Sequence, residues 1–309
     1  MLKPSFRVAA TLATTISSLA CFPADTFANA KVCRSLDQRY EQIARGATSI
    51  EINAMLFSAA DKGCLDLAKL LISAGASLEA RDRLGAKPLA RAAVAGESAL
   101  VALFLDKGAP IDAQNIEGST ALFQAAEQGR LPIVRLLIER GANISLPGRT
   151  GITPLSAAAY MGSAPIVGLL IEMGADPKAS DKTEKTAIIY AAGRGFPAVV
   201  RLLLDHGVDI NTHYGNDLTA LMWASGYSDE AGVNDVIDVM TLFIERGARL
   251  DDQDNRGRTA LMIAAELNHA AAVDLLLAHG ADKTLKDKQG KTAGDLTSLT
   301  ALREKLAGR

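Results

Sequence analysis

Four histidines, three cysteines and a group of acidic residues near position 230 are the side chains here that could bind metal or move protons. A zinc site needs nitrogen or sulfur ligands at short recurring spacings, for example two histidines four residues apart on one helix. His206, His213, His269 and His279 have no such partner. His206 and His279 each precede a glycine that reads as a helix end, where a cation suits the backbone dipole. Asp229, Glu230, Asp235 and Asp238 form an acidic group, but the glycine spacing of a calcium loop is missing, so they read as a solvated loop. Gly193-Arg194-Gly195 lacks the Lys-Ser/Thr that completes a phosphate cradle. No nucleophile, base and orienting group fall into a catalytic pattern, so no catalytic residue, metal or cofactor is expected. What remains is recognition by surface side chains, and that depends on the elements displaying them.

Those elements repeat. Gly75, Gly108, Gly141, Gly174 and Gly207 follow one another at 33 residues, with a gap of 40 to Gly247 and 33 again to Gly280. Lys87-Pro88-Leu89, Thr120-Ala121-Leu122, Thr153-Pro154-Leu155, Thr186-Ala187-Ile188, Thr219-Ala220-Leu221 and Thr259-Ala260-Leu261 keep the same beat. A fixed period of this length is the mark of a stacked-repeat solenoid. In the third unit, Asn115-Ile116-Glu117-Gly118 predicts a turn and Thr120 caps a short helix ended by Gly129. A second helix starts near Leu131-Pro132, carries Ile133, Val134, Leu136, Leu137 and Ile138, and stops at Gly141. One such pair cannot bury its own apolar face; stacking can.

The pattern resembles the ankyrin-repeat family, whose unit is a turn plus two helices around a T-P-L-H-x-A core. The resemblance implies an all-α solenoid of about seven helix-turn-helix units over residues 53–286. A capping helix over 31–52 and another over 287–309 are expected to close the ends. The family's histidine is replaced throughout, by Phe57, Ala90, Phe123, Ser156, Ile189, Met222 and Met262, so apolar packing is expected to stand in for its hydrogen bond. Glu184 and Asp217 occupy turn-glycine positions in units five and six, which predicts distorted turns there.

Residues 1–30 read as a cleavable signal peptide. Lys3 and Arg7 precede an apolar stretch from Val8 to Phe22, and Ala28-Asn29-Ala30 fits a cleavage site before Lys31. Cys21 matches a lipid-attachment box only loosely. No later apolar run reaches the ~20 residues a membrane span needs, so a soluble periplasmic or secreted chain is expected. Without the leader, 31 basic and 34 acidic side chains remain, and no Lys/Arg block suggests nucleic acid. In an oxidising space Cys33 and Cys64 can pair, stapling the N-terminal cap to unit one at a gain of ~3 kcal/mol; the alternative is two separate thiols.

On an ankyrin-like stack the turns and the ends of the first helices line the concave face. Ile152, Tyr160, Met161, Arg194, Tyr214, Leu218 and Tyr227 are the candidate partner-binding residues, and four of the five tyrosines with Trp223 fall between 160 and 227. They read either as a binding hot spot or as incidental exposure. Tyr190 and Trp223 sit mid-helix and read as packing residues. Seven extra residues around Tyr227–Val233 are expected to loop out. The expected function is non-catalytic protein binding by a monomer, as adaptor or stabiliser. Resemblance to exported bacterial ankyrin proteins implies an oxidative-stress enzyme as one partner class; a toxin inhibitor, and a small-ligand receptor or enzyme, are the alternatives.

Overall fold

The computed structural model describes residues 24–227 and 232–307. The basic start and apolar stretch of the expected leader, Cys21, and Ser228 to Ala231 of the expected loop lie outside those residues. Helix α1 (Ala24–Ile43) runs continuously through the Ala28–Ala30 triplet and forms the N-terminal cap. Eight helix pairs follow. They are α2 (Ser49–Lys62) with α3 (Leu65–Ser73), α4 (Pro88–Ala95) with α5 (Ser98–Asp106), and α6 (Ala121–Glu127) with α7 (Leu131–Glu139). Next come α8 (Pro154–Tyr160) with α9 (Ala164–Glu172), α10 (Ala187–Arg194) with α11 (Pro197–Asp205), and α12 (Ala220–Ser225) with α13 (Val233–Glu245). The last are α14 (Ala260–Glu266) with α15 (Ala270–Ala278) and α16 (Ala293–Leu296) with α17 (Thr300–Ala307).

Local chemistry fixes these boundaries. Thr120, Thr153, Thr219 and Thr259 each accept the N–H of the residue three further on, at 3.1–3.3 Å, satisfying a first-turn donor that the helix itself leaves unpaired. Packing then follows residue size. The alanine pairs Ala92-Ala93, Ala125-Ala126, Ala158-Ala159, Ala191-Ala192 and Ala264-Ala265 are fully buried and let successive first helices approach closely. Leu137, Leu170, Leu203 and Leu276 of the second helices are buried just as completely. Each such side chain contributes about 1.5–3 kcal/mol, summed along the stack rather than into one central core. The turns are stitched by backbone bonds between units: the N–H groups of Ile116, Arg149, Lys182, Asn255 and Lys288 donate to the carbonyls of Leu84, Glu117, Thr150, Asn216 and Arg256 at 2.7–3.0 Å.

Several boundaries differ from expectation. Unit one begins at Ser49, not Asn53, because Thr48 and Glu51 form a reciprocal cap: the Glu51 N–H donates to Thr48 Oγ1, and the Thr48 N–H donates to Glu51 Oε2 at 2.9 Å. The C-terminal cap is a broken pair rather than one helix. Thr297 turns extended between α16 and α17, with its hydroxyl on Asn268 Oδ1 at 2.8 Å, and α16 packs on α14 as an eighth, shortened unit. The insertion in unit six does not all loop out, since α13 has 13 residues where the second helices of units two to five have nine.

The altered turns behave differently from each other. Glu184 takes the left-handed conformation itself (φ 63°) and keeps the unit-five turn, with the Asp181 and Lys185 backbones bonded as in the glycine turns. Unit six is distorted as expected: Asn216 and Asp217 both have positive φ, and Tyr214 pairs with Leu218 in an isolated bridge. Among the described residues the stitching bond between turns five and six is missing. At the family-histidine position Ala90, Phe123, Ile189 and Met262 are buried and pack, while Phe57 is half-buried, Ser156 Oγ accepts a hydrogen bond from Thr153 Oγ1 at 3.2 Å, and Met222 Sδ accepts the Thr219 N–H at 3.5 Å, so packing replaces the hydrogen bond in only some units.

The expected bridge is present. Cys33 of α1 is disulfide-bonded to Cys64, which sits just before α3, and ties the cap to unit one.

Candidate binding site

The concave face changes character along its length. In units one and two a cleft of about 390 Å³ is lined by Phe57 and Leu84 together with the charged Asp82, Arg83 and Arg91, and Arg91 grips the Asp61 carboxylate with two bonds of 2.8 and 2.7 Å. From unit four onward tyrosine and tryptophan rings join the apolar groups. A cleft of about 150 Å³ opens between units three, four and five, lined by Phe123, Glu127, Ile152, Ser156, Ala157, Tyr160 and Tyr190. The first helices place these groups: α6 supplies Phe123 and Glu127, α8 supplies Ala157 and Tyr160, and α10 supplies Tyr190 from the next unit.

The two tyrosine rings meet edge to face at 5.9 Å, a favoured arrangement for aromatic quadrupoles. The Tyr190 hydroxyl donates to the Asp181 carboxylate, which also accepts the Thr183 and Lys185 N–H groups and so is held by its own turn. Burial together with this carboxylate raises the Tyr190 phenol above its ordinary range. Burial also works against the Asp181 charge, but the bonds from Tyr190, Thr183 and Lys185 outweigh it and lower its carboxyl. Arg194 places its guanidinium 4.5 Å from the Tyr160 ring centre and donates to the Tyr160 hydroxyl at 3.0 Å.

A second, shallower cleft lies at units six and seven, with Leu218, Trp223, Ile263 and Leu267 among its lining residues. Lys185 lies 4.8 Å over the Trp223 ring, whose buried indole N–H has no hydrogen-bond partner among the described residues. Among the described residues no three His, Cys, Asp or Glu side chains converge as a metal site would require, and no helix is long and apolar enough to cross a membrane. The arrangement can bury side chains of another molecule and fix them by ring stacking and charge.

The family model for ankyrin repeats matches this chain in overlapping stretches, residues 56–148, 89–181, 155–234 and 215–287. The chain belongs to the ankyrin-repeat family. A solved structure it resembles is the human ASB11 ankyrin repeat domain, at 26% identity and a TM-score of 0.65, over 72% of this chain and 97% of that one. The all-helical ankyrin stack expected from the 33-residue beat is therefore established, and with it a protein-interaction scaffold.

Within this ankyrin stack the seven expected binding residues part company. Ile152 and Tyr160 share the first cleft, and Arg194 touches it through Tyr160. Leu218 belongs to the second cleft. Met161 is exposed at the end of α8 but lines neither. Tyr214 is half-buried and lines a separate small cleft with Thr186 and Val208, and burial raises its phenol. Tyr227 stacks on His269 with ring centres 3.8 Å apart, and His269 Nδ1 lies 2.9 Å from the Ser225 carbonyl. Replacing Tyr227 therefore disturbs the joint between units six and seven, contrary to the sequence expectation of a freely presented side chain. Tyr190, read from sequence as packing, is a wall of the first cleft; Glu127 stands at a first-helix end, where partner-facing residues are expected, and Phe123, read as a replacement for the family histidine, was not anticipated there. Their signal was present, since Phe123 and Glu127 stand one repeat before Ser156 and Tyr160.

Proposed function

We propose that this ankyrin protein binds a partner protein without transforming it, using the concave face of units three to seven as an adaptor or stabiliser. The observation that carries the reading is the character of the clefts along that face: the Tyr160 cleft and the Trp223 cleft present tyrosine and tryptophan rings with apolar surface, whereas the cleft at units one and two is rimmed by the charged Asp82, Arg83 and Arg91. Clefts of this size suit individual side chains of a macromolecule, because sites for free small ligands usually run to about 300–1,000 Å³. The leader-like N-terminus and the Cys33–Cys64 bridge support action in an oxidising exported compartment, most simply a periplasm. Within that compartment the resemblance to exported bacterial ankyrin proteins makes an oxidative-stress enzyme the first partner class to test.

The test is affinity. Once a partner is captured by crosslinking and purified, Tyr160→Ala should weaken binding by about 2 kcal/mol with little change in stability, while Arg135→Ala on the exposed convex helix α7 should leave binding unchanged. Wild-type affinity in Tyr160→Ala would remove this face from consideration.

A further inference from the structure

We propose that the Tyr160 cleft is a receptor for a positively charged side chain, a lysine or arginine, of the partner protein. The inference rests on the protein-binding reading above and names what enters the cleft. Three aromatic rings, Phe123, Tyr160 and Tyr190, line a space that accepts about one side chain. Aromatic faces attract cations through the ring quadrupole, and the two tyrosines already do so internally on one flank: Arg194 lies 4.5 Å from the Tyr160 centre, and Lys185 lies 6.0 Å from the Tyr190 centre.

The opposite flank, toward unit three, holds a carboxylate instead. Glu127 lines the cleft and, among the described residues, makes no hydrogen bond or ion pair. Burial, and then the Glu117 carboxylate nearby, raise its carboxyl above the usual range, so a cation arriving beside it would stabilise the charged form. Arg149 and Lys182 lie exposed at the turn tips and do not line the cleft. Arg194 likewise contacts Tyr160 without lining it. A lysine or arginine can lay its aliphatic stem along Ile152 and Ala157 while its head meets Glu127 and the rings. An aliphatic side chain would leave the carboxylate uncompensated.

Two small probes that differ only in charge test this on the full mature chain: Nα-acetyl-lysine N-methylamide and its uncharged counterpart, Nα-acetyl-norleucine N-methylamide. Amide shifts of Glu127, Ile152 and Ala157 are followed by NMR as each probe is titrated into the millimolar range. The lysine probe should bind about fivefold or more tightly than the norleucine probe, as one cation–π contact beside a carboxylate implies, and Glu127→Gln should abolish that preference. Equal or tighter binding of the norleucine probe would mark the cleft as a simple apolar pocket and overturn the assignment. So would a preference surviving Glu127→Gln, or no shift with either probe. If the probes fail but Tyr160→Ala still weakens the captured partner, the protein-binding reading stands and only the cation assignment falls.

Discussion

Reducing the Cys33–Cys64 bridge should undock α1 and loosen unit one while the middle of the stack keeps its structure. The bridge closes a loop between residues 31 apart, and the chain-entropy relation assigns such a loop roughly 3–4 kcal/mol. The packing it supplements is small. Among the described side chains of α1, Tyr40 is the one buried, at 8% exposure, with Leu36 and Ile43 only partly covered, and one large side chain fully buried contributes about 1.5–3 kcal/mol. The bridge is thus worth as much as the packing of the cap, and without it the cap should spend much of its time detached. Hydrogen exchange read by mass spectrometry, with and without a phosphine reductant, checks this. Amides of residues 30–45 should lose protection, α2 and α3 should lose part, and α6 to α11 should be unchanged, because a solenoid transmits damage mainly to its neighbours. Undiminished protection of α1 after complete reduction would refute the reasoning, as would simultaneous loss along the whole stack.

Gly162→Ala should be far more damaging than Gly141→Ala, although both glycines have positive φ (72° and 87°). A Cβ at 162 would stand 2.6 Å from the Phe196 ring, whereas nothing lies within 4 Å at 141; denaturant midpoints should give roughly 2–4 against 1–2 kcal/mol, and equal losses would contradict the packing argument. Glu184→Gly should stabilise by about 0.5–1 kcal/mol in the same assay, since Glu184 holds φ 63° at a strain that outweighs the extra freedom glycine gives the unfolded chain. Acid should unfold the protein from its turns and caps. Glu51, Asp287 and Asp295 accept backbone N–H groups from Thr48, Lys291 and Thr292, which hold their carboxyls below the ordinary range. That stability is present above about pH 4 and is lost as pH falls through the lowered values; helical dichroism rising in thermal stability between pH 5 and pH 3 would contradict it.

The architecture was legible because glycine and threonine have strong local meaning and recur at one spacing. What escaped were features whose signal is weak or shared. The Thr48–Glu51 cap at the start of unit one was hidden because nothing after it matches the family core until Ala54. Thr292-Ala293 keeps the 33-residue step from Thr259-Ala260, yet the four-residue α16 is too short to show a helical period, so the eighth unit read as part of a cap. Among the binding residues, Tyr160 and Ile152 follow from their register alone. Tyr190 does not, because a mid-helix aromatic reads as core, and only the small Ala157 one unit earlier leaves its ring facing a cleft. Tyr214 and Tyr227 are less exposed than their register suggests for a physical reason too: each lies beside a residue distant in sequence, Thr186 and His269 respectively.

The account stands most directly on where a partner touches this protein in its own compartment. A photo-reactive amino acid placed at position 160, and in a second variant at the exposed convex position 135, should give a discrete protein adduct from the first and none from the second. Adducts forming equally from both positions, or from the convex side alone, would contradict it.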